Sequence, residues 1–492
     1  MPNSYKSIFK TSLLTGGSQV VALFVQMIRA KVLAVILGPA GTGLIGLYGA
    51  TTGLVNTLAN IGLSGSAVRS IAKDNVNDDK TAIRKTLFVY RTLIFSTSLI
   101  AAAVMLIFAG PIAKATFGDE TRINGIRWMS LVVLFTGVST GQYSLLQGLR
   151  RIKELAVSKV LGVISGTIIC ILLIYFFRER GIVPYLIAGA ASTVLFSWYF
   201  AGRTGIHSMV VSIREFRIIA SGLLGMGMAF LASGLVTSFS GYYSRVLITD
   251  RFSVTELGLY TASWTLSAVY VNFVLSAMGA DFYPRLTSVI NDHEKSNRLI
   301  NEQTIMGITL SLAGVVAVTG FAKYILNLFY SAEFVPAMHI LQWMTAGMTL
   351  KIICWPVAFI IVSKGKGVLF TVTEILWALL YISFLLIFTK HSGLEGAGIA
   401  FFLAYLIYTI VILIAGYKIT SFTWNRGALK NIVLLILSIT VVFITSRLQL
   451  SSLVIIILNS FILLSLVIYS YFQLNKLLGM SLISYAILKI KK

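Results

Sequence analysis

An all-α polytopic membrane protein of about fourteen transmembrane helices is what this sequence predicts. Its helices should form two six-helix lobes related by a parallel internal repeat, with two more helices at the C-terminus. Three observations carry that reading. Of 492 residues, 57% are hydrophobic and only 12% are charged, at a mean hydropathy of +0.88. Apolar runs of membrane-spanning length recur along the whole chain, and the chain resembles itself at an offset of 212–215 residues. A soluble chain carries roughly a quarter charged residues, so there is too little polar surface here to cover a globule in water.

Runs of roughly 18–25 residues cross ~30 Å of hydrocarbon, and they set the elements in order. The first span, 12–37, follows a basic start and continues past Arg29 without a small-residue cleavage site, so it reads as a retained helix. Gly38-Pro39 predicts a tight turn into 42–64. The polar connector 65–85 leads to 86–109, and spans 127–148, 157–177 and 183–202 complete a first lobe, residues 1–217. Spans 218–244, 257–280, 303–328, 338–362, 369–389 and 395–417 make a second lobe, residues 218–420. Residues 421–492 hold the last two spans, 431–447 and 453–472, and a tail (475–492) that reads as basic and amphipathic.

Lys and Arg outnumber Asp and Glu by 40 to 17. With the N-terminus inside, 25 of the 40 fall in inside segments, ten outside, and five within spans. That bias supports both termini in the cytoplasm. It also accounts for the charge without nucleic acid, for which no basic segment is long enough or interleaved with aromatics.

Residues 36–50 (ILGPAGTGLIGLYGA) align with 248–262 (ITDRFSVTELGLYTA) through a shared Gly-Leu-Tyr, and Trp128-Met129 align with Trp343-Met344. The basic turn Leu149–Arg151 meets Lys364–Lys366, with Lys159 opposite Glu374. Six spans separate the copies, an even number. Both halves therefore share one membrane orientation, as in parallel-repeat transporters.

Several residue types read as structural. Cys170 and Cys354 lie in apolar runs and lack a CxxC spacing. GPAGTG (38–43) lacks the GK[ST] of a phosphate loop, which argues against direct ATP use. The four histidines lack metal spacing, so no metal or cofactor is expected. Trp128, Trp264, Trp343 and Trp355 suit the interfacial belt, with sugar stacking the alternative. Arg69 reads as an interfacial topology charge, with contact to a diphosphate the alternative, and Asp250 and Asp281 as boundary residues.

The charges within spans point elsewhere, because each costs at least ~2.5–3.5 kcal/mol in hydrocarbon and normally faces a partner, a cavity or water. Arg29 and Lys31 in span 1, Arg91 in span 3, Arg245 at the end of span 7 and Lys351 in span 10 form a cationic set. Arg29 and Lys31 diverge by about 200° on a helix, which favours Arg29 as the cavity residue. Lys351 lies too deep for easy snorkelling. Glu374 in span 11 is expected to pair with Lys351 or Lys159, or to take up a proton in a transport cycle. Such cations suit an anionic ligand. A cavity for cationic drugs would instead need acidic spans, and an enzyme would need a large outside loop or a nucleophile–base pair.

LGPAGTGLIGLY and NIGLSGSAVRSIAK resemble the opening of Wzx-type flippases for lipid-linked oligosaccharides, in the multidrug/oligosaccharidyl-lipid/polysaccharide exporter superfamily. Residues 331–376 resemble the matching part of O-antigen and enterobacterial-common-antigen translocases. The resemblance covers about residues 5–420. It implies paired six-helix lobes around a cationic cavity that work by alternating access in the bacterial inner membrane. The implied cargo is an undecaprenyl-diphosphate-linked O-antigen repeat unit, with membrane lipids, the O-antigen polymerase and the chain-length machinery as partners. The fourteen-span form is similar to lipid II flippases, whose cargo is the alternative, beside multidrug export.

Overall fold

A peptide group in hydrocarbon has no water to bond, so it bonds within its own helix. The computed structural model, which describes residues 2–448 and 451–478, follows that rule: every regular element among the described residues is helical. Most of the tail reading (479–492) and the side chains of residues 2–19 and Asp281 fall outside the described residues. Ten stretches among the described residues are long and apolar enough to cross a membrane.

The helices in order are α1 (Pro2–Asn60), α2 (Leu63–Val76), α3 (Lys80–Ile107), α4 (Ala109–Phe117), α5 (Ile123–Gly148), α6 (Ile152–Phe177), α7 (Ile182–Gly202) and α8 (Ile213–Arg251). They continue as α9 (Val254–Val289), α10 (His293–Gly320), α11 (Ala322–Phe329), α12 (Met338–Ser363), α13 (Gly367–His391), α14 (Glu395–Thr420), α15 (Arg426–Thr445) and α16 (Ser452–Leu478). α1 is two helices joined at Gly38, whose φ of 64° and ψ of −166° stop one helix just before Pro39 starts the next. That is the turn the Gly-Pro pair predicts.

Two compact units divide the chain. The first comprises Ser18–Leu259 with Phe329–Ser331. In it α3 packs on α5, α5 on α7 and α6 on α7, while α8 lies against α2 and α3. Leu33 and Tyr48 of α1 are buried with Met129, Cys170, Ile174 and Tyr185. Glycine allows close approach: a Cβ on Gly62 would stand 2.0 Å from the Gly227 carbonyl oxygen of α8.

The second unit comprises residues 260–328 and 332–478 with 2–17. α10 packs on α12, α12 on α14 and α13 on α14, and both α15 and α16 pack on α10. Amides tie on this appended pair. Asn301 donates to the Thr423 carbonyl (3.1 Å) and accepts from the Asn425 amide (2.8 Å). Toward the far end of α10, Asn459 donates to the Gly320 carbonyl at 2.9 Å, and Gln342 donates to Thr319 O and Ser446 Oγ.

The repeat reappears as repeated local geometry. Asp79 caps α3 by accepting from the Ala82 amide, and Asp292 caps α10 from Lys295. Phe108 and Phe321 end the same two helices. The turns after α5 and α12 both pass through a left-handed residue, Arg150 (φ 57°) and Gly365 (φ 70°). Each turn closes with matching amides, Arg151 to the Leu146 carbonyl and Lys366 to that of Ile361. The Gly-Leu-Tyr copies bury Leu47, Tyr48, Leu259 and Tyr260.

Within the first unit, the chain after Gly38 crosses the start of α9 so tightly that a Cβ on Gly258 would lie 1.9 Å from the Pro39 carbonyl oxygen. Gly258→Val should cost about 1–3 kcal/mol or more by overpacking and lower the thermal midpoint of the detergent-solubilised protein by several degrees. Gly49→Ala, with no atom within 4 Å of its new methyl, should leave the midpoint unchanged or slightly raised.

Candidate functional site: the Lys351 cavity

Lys351 sits near the middle of α12, with about 18 Å of helix on either side. Trp355 and Phe359 follow at four-residue steps, so the three share one face of α12. On α9, Asn272, Leu275, Ser276, Gly279 and Tyr283 form a matching stripe. The two faces line a cavity of about 400 Å³. The ammonium of Lys351 donates to Asn272 Oδ1 at 3.0 Å, and both residues line the cavity.

Aromatic rings build the remaining wall. Trp355 meets Phe359 edge-on with centroids 4.8 Å apart and lies tilted on Phe282 at 5.9 Å. Tyr283 approaches Phe359 at 5.8 Å. Gly279 makes room for the indole, whose ring would stand 3.1 Å from a Cβ there. Trp355, expected in the interfacial belt, therefore lines a cavity beside a cation.

Glu374 of α13 lies within electrostatic reach of Lys351, and its Oε1 accepts from the Tyr408 hydroxyl of α14 at 2.9 Å. Among the described residues Lys351 and Glu374 make no direct ion pair. Each is instead hydrogen-bonded to a neutral neighbour, Lys351 to Asn272 and Glu374 to Tyr408.

The other singled-out residues lie in the first unit. Arg29, on α1, is within electrostatic reach of Cys170 on α6 and Tyr185 on α7. Lys31 is partly exposed two residues on. The Arg91 guanidinium donates to Gln142 Oε1 of α5, while its Nε is buried without a hydrogen-bond partner. Arg245 reaches back one turn to the Gly241 carbonyl at 2.7 Å. Lys159 places its ammonium 5.3 Å from the centre of the Tyr143 ring, a cation–π distance.

Sequence reasoning missed Asn272, Tyr283 and Phe359. The signal was present as helical spacing, Asn272–Ser276–Gly279–Tyr283 and Lys351–Trp355–Phe359, but which stripe faces which is not written in either.

A family described as "Polysaccharide biosynthesis protein" matches residues 32–339, more than half of the chain. The chain belongs to that family. This polysaccharide biosynthesis family member is 23% identical over 421 residues to the lipid III flippase of Escherichia coli (strain K12), covering 82% of this chain and 96% of the relative. Its fold is similar to that of the lipid II flippase MurJ in an inward closed conformation (TM-score 0.66, 16% identity, 95% of this chain and 99% of that one). It is also similar to an inward-facing multidrug resistance MATE family transporter of the MOP superfamily (TM-score 0.68, 16% identity, 84% and 98%). These relatives are flippases and transporters. The family member is accordingly a multi-pass membrane transport protein, not an enzyme.

A double-mutant cycle tests the Lys351–Asn272 bond. Asn272→Leu should lower stability by about 1.5–3 kcal/mol, the usual worth of a hydrogen bond to a charged group. The same change made on Lys351→Met should cost distinctly less. Equal losses in both backgrounds, measured by thermal unfolding in detergent, would show the two side chains to be independent.

Proposed function

We propose that the protein flips an undecaprenyl-diphosphate-linked oligosaccharide, an O-antigen repeat unit, from the cytoplasmic to the periplasmic leaflet of the bacterial inner membrane. Both termini are cytoplasmic in this reading. The lobes are 1–217 and 218–420, with 421–492 appended, and they alternate access to the cargo.

The observation that carries the reading is the deep, amide-tethered Lys351 in a cavity walled by Trp355, Tyr283 and Phe359. A lipid-linked glycan presents a diphosphate, sugar hydroxyls and a polyprenyl tail. Its head group loses several kcal/mol per unsatisfied polar group in hydrocarbon, so it needs a polar passage. An ammonium at membrane depth offsets phosphate charge, and aromatic faces stack on the apolar faces of sugars. Family membership and the lipid III flippase relative support the same cargo class.

Lys351 is the assigned phosphate contact. Arg29, Lys31, Arg91 and Arg245 are proposed to supply further positive charge, and Glu374 with Lys159 to balance or couple that charge. The flipped unit would pass to the O-antigen polymerase and chain-length machinery. Lipid II is the alternative cargo, favoured by α15 and α16, helices beyond the twelve of the paired lobes.

Complementation tests this. Expressed in a strain lacking its O-antigen flippase, the wild-type protein should restore surface glycan, and Lys351→Ala at matched expression should lower it at least about tenfold, equivalent to ~1.4 kcal/mol. Full activity of Lys351→Ala would remove the lysine from the mechanism. Rescue only of a strain depleted of its lipid II flippase would assign the alternative cargo.

A further inference from the structure

Five of the ten cations expected outside, Lys114, Arg122, Arg127, Arg178 and Arg180, crowd into two short segments of the chain. Topology disfavours basic residues there, so the clustering calls for a reason. The first unit brings the two segments together. Arg122, just before α5, donates to Glu179 in the turn before α7 at 2.9 Å, and its guanidinium lies 5.8 Å from the centre of the Phe117 ring. Phe117 in turn packs on Tyr48 at 5.1 Å, and the Tyr48 hydroxyl sits where a side chain on Gly125 would fall.

Beside this anchor opens a cleft of about 900 Å³. Arg122, Arg180 and Glu179 stand among its lining, and Ile182, Val183 and Ile187 of α7 supply apolar wall. Trp128 of α5 also lines it and is 59% exposed. Glu179 offsets one arginine only. Among the described residues Arg180 is exposed and makes no ion pair or hydrogen bond. The cleft thus joins a net positive charge to an apolar wall that continues along α7, where Leu195 is exposed. A free phosphate would satisfy the arginine but leave the wall uncovered, and a neutral sugar would leave the arginine unmatched.

We propose that this cleft binds an anionic phospholipid of the surrounding leaflet. The phosphodiester meets Arg180, with Arg122 adding positive charge beside it, and an acyl chain lies along Val183, Pro184 and Ile187. The site is separate from the Lys351 cavity and does not depend on the cargo assigned above.

Native mass spectrometry of the full chain, released from detergent with added phosphatidylglycerol or phosphatidylcholine, tests the site. Wild type should retain one phosphatidylglycerol that Arg180→Gln loses, with at least about a tenfold drop in affinity for a lost charged contact. Glu179→Gln, which removes the competing carboxylate, should bind phosphatidylglycerol more tightly. Arg180→Gln keeps its fold because the side chain is unpartnered, and an unchanged thermal midpoint without lipid verifies that. Equal retention of phosphatidylglycerol by wild type and Arg180→Gln would overturn the proposal. So would equal retention of phosphatidylcholine, or full displacement of the lipid by inorganic phosphate at millimolar concentration.

Discussion

The structure depends first on the inability of hydrocarbon to hydrogen-bond. Backbone groups meet that constraint by forming helices, and small hydroxyls meet it inside the same helix. Thr51 donates to the Leu47 carbonyl, and Thr304, Thr309 and Thr319 each donate one turn back along α10. Several larger amides and charges reach across to other helices or their caps, and these side chains mark the joints. Asn301, Gln342 and Asn459 hold α15 and α16 to the second unit, and Gln142 holds Arg91. A joint of this kind also fixes register, because sliding one helix by a residue leaves an amide unsatisfied in a medium that charges several kcal/mol for it.

Where the chain leaves the helix, the same problems recur in both halves and meet the same local answers. Aspartate caps α3 and α10, and a left-handed residue closes the turns after α5 and α12. One half uses Arg150 where the other uses Gly365. Arginine accepts some strain in that conformation, which glycine avoids. The repeat is therefore a repetition of backbone solutions more than of side chains. That explains why its sequence trace shrinks to Gly-Leu-Tyr, Trp-Met and a basic turn.

Much of the fold was legible in the sequence. Apolar runs marked the chain as helical and membrane-spanning, though ten rather than fourteen stretches among the described residues are long and apolar enough to cross. Gly38-Pro39 located the break in α1, and the offset of 212–215 residues located the repeat. The candidate site was legible only in part. Lys351 stood out because a lysine at the centre of an apolar run has no cheap place to go. Its acceptor Asn272 is 79 residues distant, and an asparagine on an apolar helix face carries no mark of what it will bond. Trp355 read as a belt residue since tryptophan favours interfaces, yet it faces the cavity as Lys351 does, one helical turn along. The Arg122–Glu179 contact, 57 residues apart in sequence, was invisible for the same reason.

The sequence by itself determined that this chain is helical, membrane-spanning, internally repeated and cationic within its spans. Those properties follow from composition and from periodicities shorter than a helix. The tertiary structure alone decided which stripe of α9 faces which stripe of α12, that Lys351 and Glu374 stay within reach without pairing, and that two basic segments close around one cleft. Each of these depends on contacts between residues dozens of positions apart. Among helices with largely apolar faces, many pairings could pack, and the amides, charges and close-packed glycines select among them.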